Sequence, residues 1–239
     1  MTTHAPPLAP NPARDPRFEV RDFWRDMTNL PPDHPEHRNE FLHRQLNEEV
    51  NSIEIASRNL ADFPDAPWEL RMQIARQCAD ECRHVEAFRR LLEARGGYVG
   101  QYPVLNFQFR IIIALESLIG RLAVANRSFE AGGLDAIQDG IDASEGEEED
   151  PDFLRLFDAQ LADEMQHVRF ANVWIRKLVE LEGPRAVMAL ARDVARADDA
   201  YKHVVGDAGF SYNVATDLRR EAGFSDEEIE AARVLAERR

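Results

Sequence analysis

The chain has 239 residues, and its 44 Asp and Glu residues against 29 Lys and Arg residues give a formal net charge of −15. Binding to nucleic acid or to an anionic membrane surface needs clustered basic residues, so we expect neither partner. The most apolar run, 111–115, is far shorter than the roughly 20 residues that span a bilayer. The first thirty residues contain no apolar core of the signal-peptide type. The sequence therefore predicts a protein of the cytoplasm.

Helical patterns follow one another along the whole chain, and no alternating strand pattern interrupts them. An arm rich in Pro and Ala comes first, and it includes a short predicted helix at 18–27. Glycine pairs and an Asp-Pro step give the stop and start signals for the helices that follow. Four long helices are predicted at 35–60, 67–95, 107–131 (closed by Gly132-Gly133) and 151–182 (started by Asp150-Pro151). A further helix is predicted at 185–205, with two short ones after it, the last opened by the capping box that begins at Ser225.

These elements predict an all-α fold. Short links within each pair of long helices, and an extended stretch at 98–106 between the pairs, match a ferritin-like four-helix bundle. In such a bundle a long crossover joins the second helix to the third. The predicted organisation is an N-terminal arm at 1–34, a bundle at 35–182, and a C-terminal helical extension at 183–239 that packs on the bundle.

The apolar stripes of three predicted helices are each interrupted by one glutamate. These residues are Glu49, Glu81 and Glu164, and the stripe positions around them are apolar. A carboxylate in a core is costly unless it is paired, hydrogen-bonded or bound to a metal ion. Three interruptions of one kind therefore indicate a shared reason.

The glutamates also lie at matching depths in the two predicted helical hairpins. The sequence midpoint between Glu49 and Glu81 is Asp65, within the first predicted turn. The sequence midpoint between Glu130 and Glu164 is Glu147, within the acidic loop at 145–150. Since residues equally far from a turn lie side by side, each hairpin should bring two carboxylates to one level.

Histidine completes a metal-binding pattern, because Glu-x-x-His occurs at Glu81–His84 and again at Glu164–His167. Side chains three positions apart share a helix face and can hold one metal ion. One Glu from each of two helices and Glu-x-x-His from the other two is the arrangement of di-iron carboxylate proteins. The sequence thus predicts six ligands: Glu49, Glu81, His84, Glu130, Glu164 and His167.

Two of these positions have alternatives. Glu48 and Glu54 neighbour Glu49, although they lie off the apolar stripe. Glu116 shares a predicted helix face with Glu130. Of the two, Glu130 is favoured, because it lies as far from the predicted turn as Glu164.

Three residues beside the ligands have predicted supporting roles. Asp80 and Asp163 each precede a ligand glutamate, and either could accept the free ring N–H of a ligand histidine. A surface position is the other interpretation of Asp163. Arg83 is expected to pair with a buried acid.

The run Asp80-Glu81-Cys82-Arg83-His84 resembles the signature of di-iron oxygenases and of ribonucleotide reductase small subunits. Over residues 41–224 the chain more closely resembles an uncharacterised bacterial family of ferritin-like proteins. Departures occur at Asn51 and Ser52, beside Glu49, and at Gln166, where the oxygenase signature has Arg. They leave the six predicted ligands intact. The resemblance implies a dinuclear metal site and supplies no substrate.

Oxygen and imidazole ligands suit two iron ions, and they also admit an iron–manganese pair. We expect Glu49, Glu81 and His84 to hold one ion and the other three ligands to hold the second, with Glu81 and Glu164 as bridges. The expected function is an O2-activating oxidase or oxygenase that acts on a small organic substrate, with an electron donor and a homodimeric assembly. Iron oxidation and storage without an organic substrate is the alternative. A metal-free helical interaction protein would leave the core acids unexplained.

Overall fold

A computed structural model describes residues 6–144, 151–206 and 213–236, and it is mainly helical, which confirms the predicted all-α class. Two short strands, β1 (Val20–Arg21) and β2 (Val104–Leu105), pair in parallel. A 3-10 helix covers Trp24–Asp26, and a π-helical segment covers Ala125–Glu130. The nine α-helices within the described residues are α1 (His37–Asp62), α2 (Trp68–Ala94), α3 (Phe107–Ile113), α4 (Leu118–Val124), α5 (Ala131–Ser144), α6 (Pro151–Glu182), α7 (Pro184–Val205), α8 (Thr216–Glu221) and α9 (Asp226–Ala236).

The chain divides into two compact units. The first unit comprises Met1–Glu116 and Ala195–Ala208, and the second comprises Ser117–Val194 and Gly209–Arg239. Helix α7 therefore contributes residues to both. The predicted division into an arm, a bundle and an extension stays a prediction.

The first unit is built on the α1–α2 hairpin. Helix α1 ends at the Pro-containing turn, and α2 ends where Gly96 adopts a φ of 81°, a left-handed conformation that glycine reaches without strain. The apolar stripes of both helices are buried against each other, with Leu42, Ile74, Phe88 and Leu92 almost inaccessible. Both predicted helices are confirmed to within two residues at each end.

The second unit is formed by the α4–π–α5 run, which packs against α6, and by the two short C-terminal helices. One apolar cluster joins these elements: Ala131, Leu134, Met165, Val168, Ala222, Phe224 and Ile229. The predicted bounds of the fourth long helix are confirmed by α6. The capping box is also confirmed, since the Ser225 N–H donates to Glu228 and the Glu228 N–H donates to Ser225 Oγ.

The third long helix was predicted wrongly as one element at 107–131. It breaks between α3 and α4, where Ser117 caps α4 by accepting from the Gly120 N–H. Ser117 also donates its N–H and hydroxyl to Asp193 Oδ2, at 3.0 and 2.6 Å. The break thus depends on a residue 76 positions away. The glycine pair does not close the helix, because α5 continues through Gly132 and Gly133 to Ser144.

Two smaller predictions also need correction. The segment 18–27 forms β1 and the 3-10 helix instead of one short helix. The prediction that the chain has no strands was wrong at two short segments. The two residues of β1 pair with the two residues of β2, which lies within the extended stretch at 98–106. The acidic loop at 145–150, with Glu147 and the predicted cap Asp150, lies outside the described residues. Within the described part, none of the helices combines the length and apolar character that crossing a membrane requires.

Candidate metal centre

The first unit contains a buried group of two glutamates and one histidine. Glu49 lies on α1, and Glu81 and His84 lie on α2, all no more than 6% exposed. His84 Nδ1 lies 3.0 Å from Glu81 Oε2 and 3.3 Å from Glu49 Oε2. The three residues offer ligand atoms within 4.8 Å of one another. We call Glu49, Glu81 and His84 the first triad.

The second unit contains the same combination of residue types. Glu164 and His167 are buried on α6, and Glu130, which is half-buried, ends the π-helical segment. His167 Nδ1 lies 3.3 Å from Glu164 Oε2. Ligand atoms of these three residues also lie within 4.8 Å of one another. We call Glu130, Glu164 and His167 the second triad.

Both triads use the same helical geometry to pair a carboxylate with an imidazole. In each, a histidine follows a glutamate by three positions, so the two side chains project from one helix face. In each, Nδ1 faces the carboxylate oxygen. Each predicted Glu-x-x-His pair therefore turns the same ring nitrogen toward the oxygen ligands.

Two amide side chains orient triad carboxylates, and the sequence analysis did not single them out. Gln77 Nε2 donates to Glu81 Oε1 at 3.2 Å, and Asn126 Nδ2 donates to Glu130 Oε2 at 2.7 Å. Each amide comes four positions before its glutamate on the same helical run. A polar residue four positions before each predicted ligand glutamate was the available signal. Gln160, four positions before Glu164, is also buried.

The π-helical segment sets the direction in which the Glu130 side chain projects from the helix. A π turn inserts one extra residue into a helix, and such turns occur frequently at functional sites. It shifts the residues that follow by about one position relative to a regular α-helix, and Glu130 is its last residue. The periodicity used to identify the other ligands does not hold through such a turn. The hairpin depth selected Glu130 independently of that periodicity.

The alternative ligands lie outside both triads. Glu116 is exposed and pairs with Arg196 at 2.8 Å. Glu54 forms an ion pair with Arg14, whose side chain is buried on that face of α1. Glu48 is half-buried and belongs to neither triad. The geometry therefore favours Glu49 and Glu130 among the alternatives.

The residues with predicted supporting roles take different positions. Asp80 is buried, and its Oδ1 lies 2.7 Å from Arg83 Nη2, so Arg83 pairs with a buried acid. Asp163 is half-buried on α6. Cys82, next to Glu81, is exposed, and desolvation together with Cys78 and Glu81 raises the pKa of its thiol. A thiol that stays protonated is a poor metal ligand.

The donor set of each triad suits a divalent cation. Two carboxylates and one imidazole supply hard oxygen and borderline nitrogen atoms, which iron and manganese accept. Burial of the carboxylates is costly without compensating charge, and a divalent ion would supply that charge locally. The residues present thus fit one divalent metal ion in each triad.

Comparison with known proteins adds one match. The family model described as "Protein of unknown function (DUF455)" matches residues 2–230. No curated protein matches the chain. No solved structure matches it either.

Proposed function

The chain belongs to the DUF455 family of proteins of unknown function, and we propose that it is a dinuclear non-haem iron, or iron–manganese, oxidoreductase. In this proposal it uses O2 to oxidise a small organic substrate. The observation that carries it is the repetition of one triad, in which His84 and His167 each direct Nδ1 at a glutamate three residues earlier. One such pair arises easily by chance, whereas two buried copies, each with a second carboxylate beside it, do not.

The combination of the two triads in one dinuclear centre comes from the di-iron carboxylate motif that the sequence resembles. The ferritin-like four-helix bundle belongs to the same proposal. Glu49, Glu81 and His84 would hold one ion, and Glu130, Glu164 and His167 would hold the other. Glu81 and Glu164, the glutamates of the two Glu-x-x-His pairs, are the proposed bridges.

Two ferrous ions held in this way would supply two of the electrons needed to reduce O2, and an external electron donor would restore them. The protein residues would bind and orient the ions. Gln77 and Asn126 fix one oxygen each of Glu81 and Glu130, which limits the carboxylate orientations available to a metal ion. The low exposure of the first triad would keep bulk water from the ion, which strengthens its electrostatic interactions.

Metal binding can be tested by loading the purified chain with ferrous iron without O2 and counting bound ions. We expect two ions per chain, and fewer in Glu81→Gln and Glu164→Gln. Glu116→Gln is the matched control, because it removes an exposed glutamate that shares the predicted helix face of Glu130 and lies outside both triads. Two retained ions in the Glu81 and Glu164 variants, or none in the unaltered chain, would contradict the proposed site.

Exposure of the loaded protein to O2 then separates oxidase chemistry from iron storage. An oxidoreductase should consume O2 in proportion to two ferrous ions per chain and require an added reductant for another cycle. Mössbauer spectra should show the iron as a coupled pair. Continued oxidation of excess iron with mineral growth would contradict the proposal and support storage. Size-exclusion chromatography adds a second criterion, since storage would require a large shell and the proposal expects a homodimer.

A further inference from the structure

The side chains around the π-helical segment connect it to the C-terminal helices. Arg127, in the middle of that segment, pairs through Nη2 with Glu228 Oε1 on α9. The Arg127 guanidinium also lies 4.7 Å from the ring centroid of Phe224. The segment that ends in Glu130 thus contacts two residues that lie about 100 positions later in the chain.

Glu228 is itself held in place by the N-terminal cap of α9. Its Oε2 accepts the Ser225 N–H at 2.8 Å, and its own N–H donates to Ser225 Oγ at 3.3 Å. One carboxylate oxygen therefore belongs to the capping box, and the other is directed at Arg127. A capping box fixes the glutamate at its third position, so Arg127 meets a carboxylate that is already oriented.

Hydrogen bonds also connect the C-terminal helices to α6, the helix that carries Glu164 and His167. Arg169, Asn172 and Arg176 lie on one face of α6. They donate to three successive backbone carbonyls at the end of α8, those of Glu221, Ala222 and Gly223. Arg219, on α8, forms an ion pair with Asp135 of α5. The Arg219 guanidinium also lies 5.3 Å from the ring centroid of Phe224. Phe224 therefore contacts two guanidinium groups.

We propose that Arg127 and Glu228 are positioning residues for the second metal site. The α8–α9 segment, anchored on α6, holds the π turn through Arg127 and so sets where Glu130 meets Glu164 and His167. This inference rests on the proposed function only in taking the second triad to be a metal site. It assigns the C-terminal helices a role in metal binding although they contribute no ligand.

The test measures the second site alone. In a His84→Ala background the first triad lacks its imidazole, and anaerobic Co(II) titration followed by visible absorption reports the ion that remains. Glu228→Gln should lower the affinity of the second triad for Co(II) roughly 10-fold or more, as loss of a residue that orients a ligand does. In a His167→Ala background, which leaves the first triad, the same substitution should leave Co(II) affinity unchanged.

Asp226→Asn is the matched control. Asp226 is also an acid in the first turn of α9, and it pairs with Arg220 of α8 instead of with the π turn. It should leave both affinities unchanged. Arg127→Gln should reproduce the effect of Glu228→Gln, and Arg127→Lys, which keeps the charge, should restore most of the affinity. Thermal unfolding of each variant separates a local change from loss of the fold.

The results distinguish the two proposals. If the unaltered chain binds two ions and both Glu228→Gln and Arg127→Gln bind the second ion normally, the positioning role is overturned and the proposed function stands. A similar loss in both single-site backgrounds would also overturn it, since the effect would then be general. If the unaltered chain binds no divalent ion, both proposals fail.

Discussion

His84 Nδ1 lies 3.0 Å from Glu81 Oε2, and the two residues are three positions apart on α2. The same relationship recurs on α6, where His167 Nδ1 lies 3.3 Å from Glu164 Oε2. With the same ring nitrogen facing the oxygen ligands in both pairs, the distal Nε2 is the atom left to carry the ring proton when a metal ion is bound. The two histidines should therefore act equivalently, one for each ion.

The first prediction concerns this equivalence. His84→Ala and His167→Ala should each lower the number of tightly bound ferrous ions from two to about one, and the double variant should bind none, since each triad loses its only nitrogen ligand. Metal analysis after anaerobic loading and gel filtration measures the ratio. His43→Gln, at a buried histidine outside both triads, should retain two ions. Loss of both ions in either single variant would show that the two triads do not bind separately.

The second prediction concerns the amide groups that orient the carboxylates. Gln77→Leu should lower the metal affinity of the first triad by about 10-fold, because Glu81 loses the donor that fixes Oε1. Asn126→Leu should do the same for the second triad through Glu130. Isothermal titration with Co(II) gives the affinities. Gln73→Leu, one turn earlier on α2 at an exposed position, is the control and should have no effect. Unchanged affinities in both amide variants would assign the amides a packing role only.

The third prediction concerns the break between α3 and α4. A Cβ at Gly120 would lie 2.5 Å from Asp193 Oδ2, and Asp193 is fully buried and held by Ser117. Gly120→Ala should therefore cost about 1–3 kcal/mol of unfolding free energy through overpacking. Gly133→Ala is the opposite case, since a Cβ added there, inside α5, would meet no other described atom within 4 Å. Gly133→Ala should raise the free energy of unfolding by about 0.5–1 kcal/mol, because alanine loses less backbone entropy than glycine when a helix forms. Urea denaturation measures both, and equal effects would contradict the close contact.

Much of the architecture follows from local sequence patterns. Helices α1, α2 and α6 have long apolar stripes, and turn residues mark their ends, so their bounds were predicted closely. The residues of the two Glu-x-x-His pairs were found because a buried carboxylate stands out against such a stripe. Their spacing on one helix face is a local property that needs no tertiary information.

The remaining features depend on contacts that a local pattern does not contain. The break before α4 is stabilised by Asp193, and the π turn adds a residue that disrupts helical periodicity. The glycine pair at the start of α5 stays helical because Ala131 and Leu134, on either side, are fully buried in the apolar cluster. That burial offsets the roughly 1 kcal/mol that each glycine costs in a helix. Tertiary packing thus overrides the stop signal.

The last prediction concerns His43, which lies on α1 away from both triads. Its Nε2 accepts the Gly100 N–H at 2.8 Å, and its ring packs against Phe18 and Tyr102. Burial lowers the pKa of His43 from its usual 6.5 to about 4. Between these values the unfolded chain binds a proton that the folded chain does not, so acid favours unfolding. The stability from the neutral ring is complete above pH 6.5 and is lost progressively toward pH 4.

His43→Gln keeps an acceptor for the Gly100 N–H and removes the titrating group. The free energy of unfolding of the unaltered chain, relative to this variant, should fall by about 1.4 kcal/mol for each pH unit between 6.5 and 4. Urea denaturation at pH 7.5, 6 and 5 measures the difference, and His203→Gln, at an exposed histidine, controls for the substitution itself. If the His43 difference were the same at all three pH values, the ring would titrate alike in the folded and unfolded chains. In that case burial of the imidazole would contribute nothing to the acid sensitivity of the first unit.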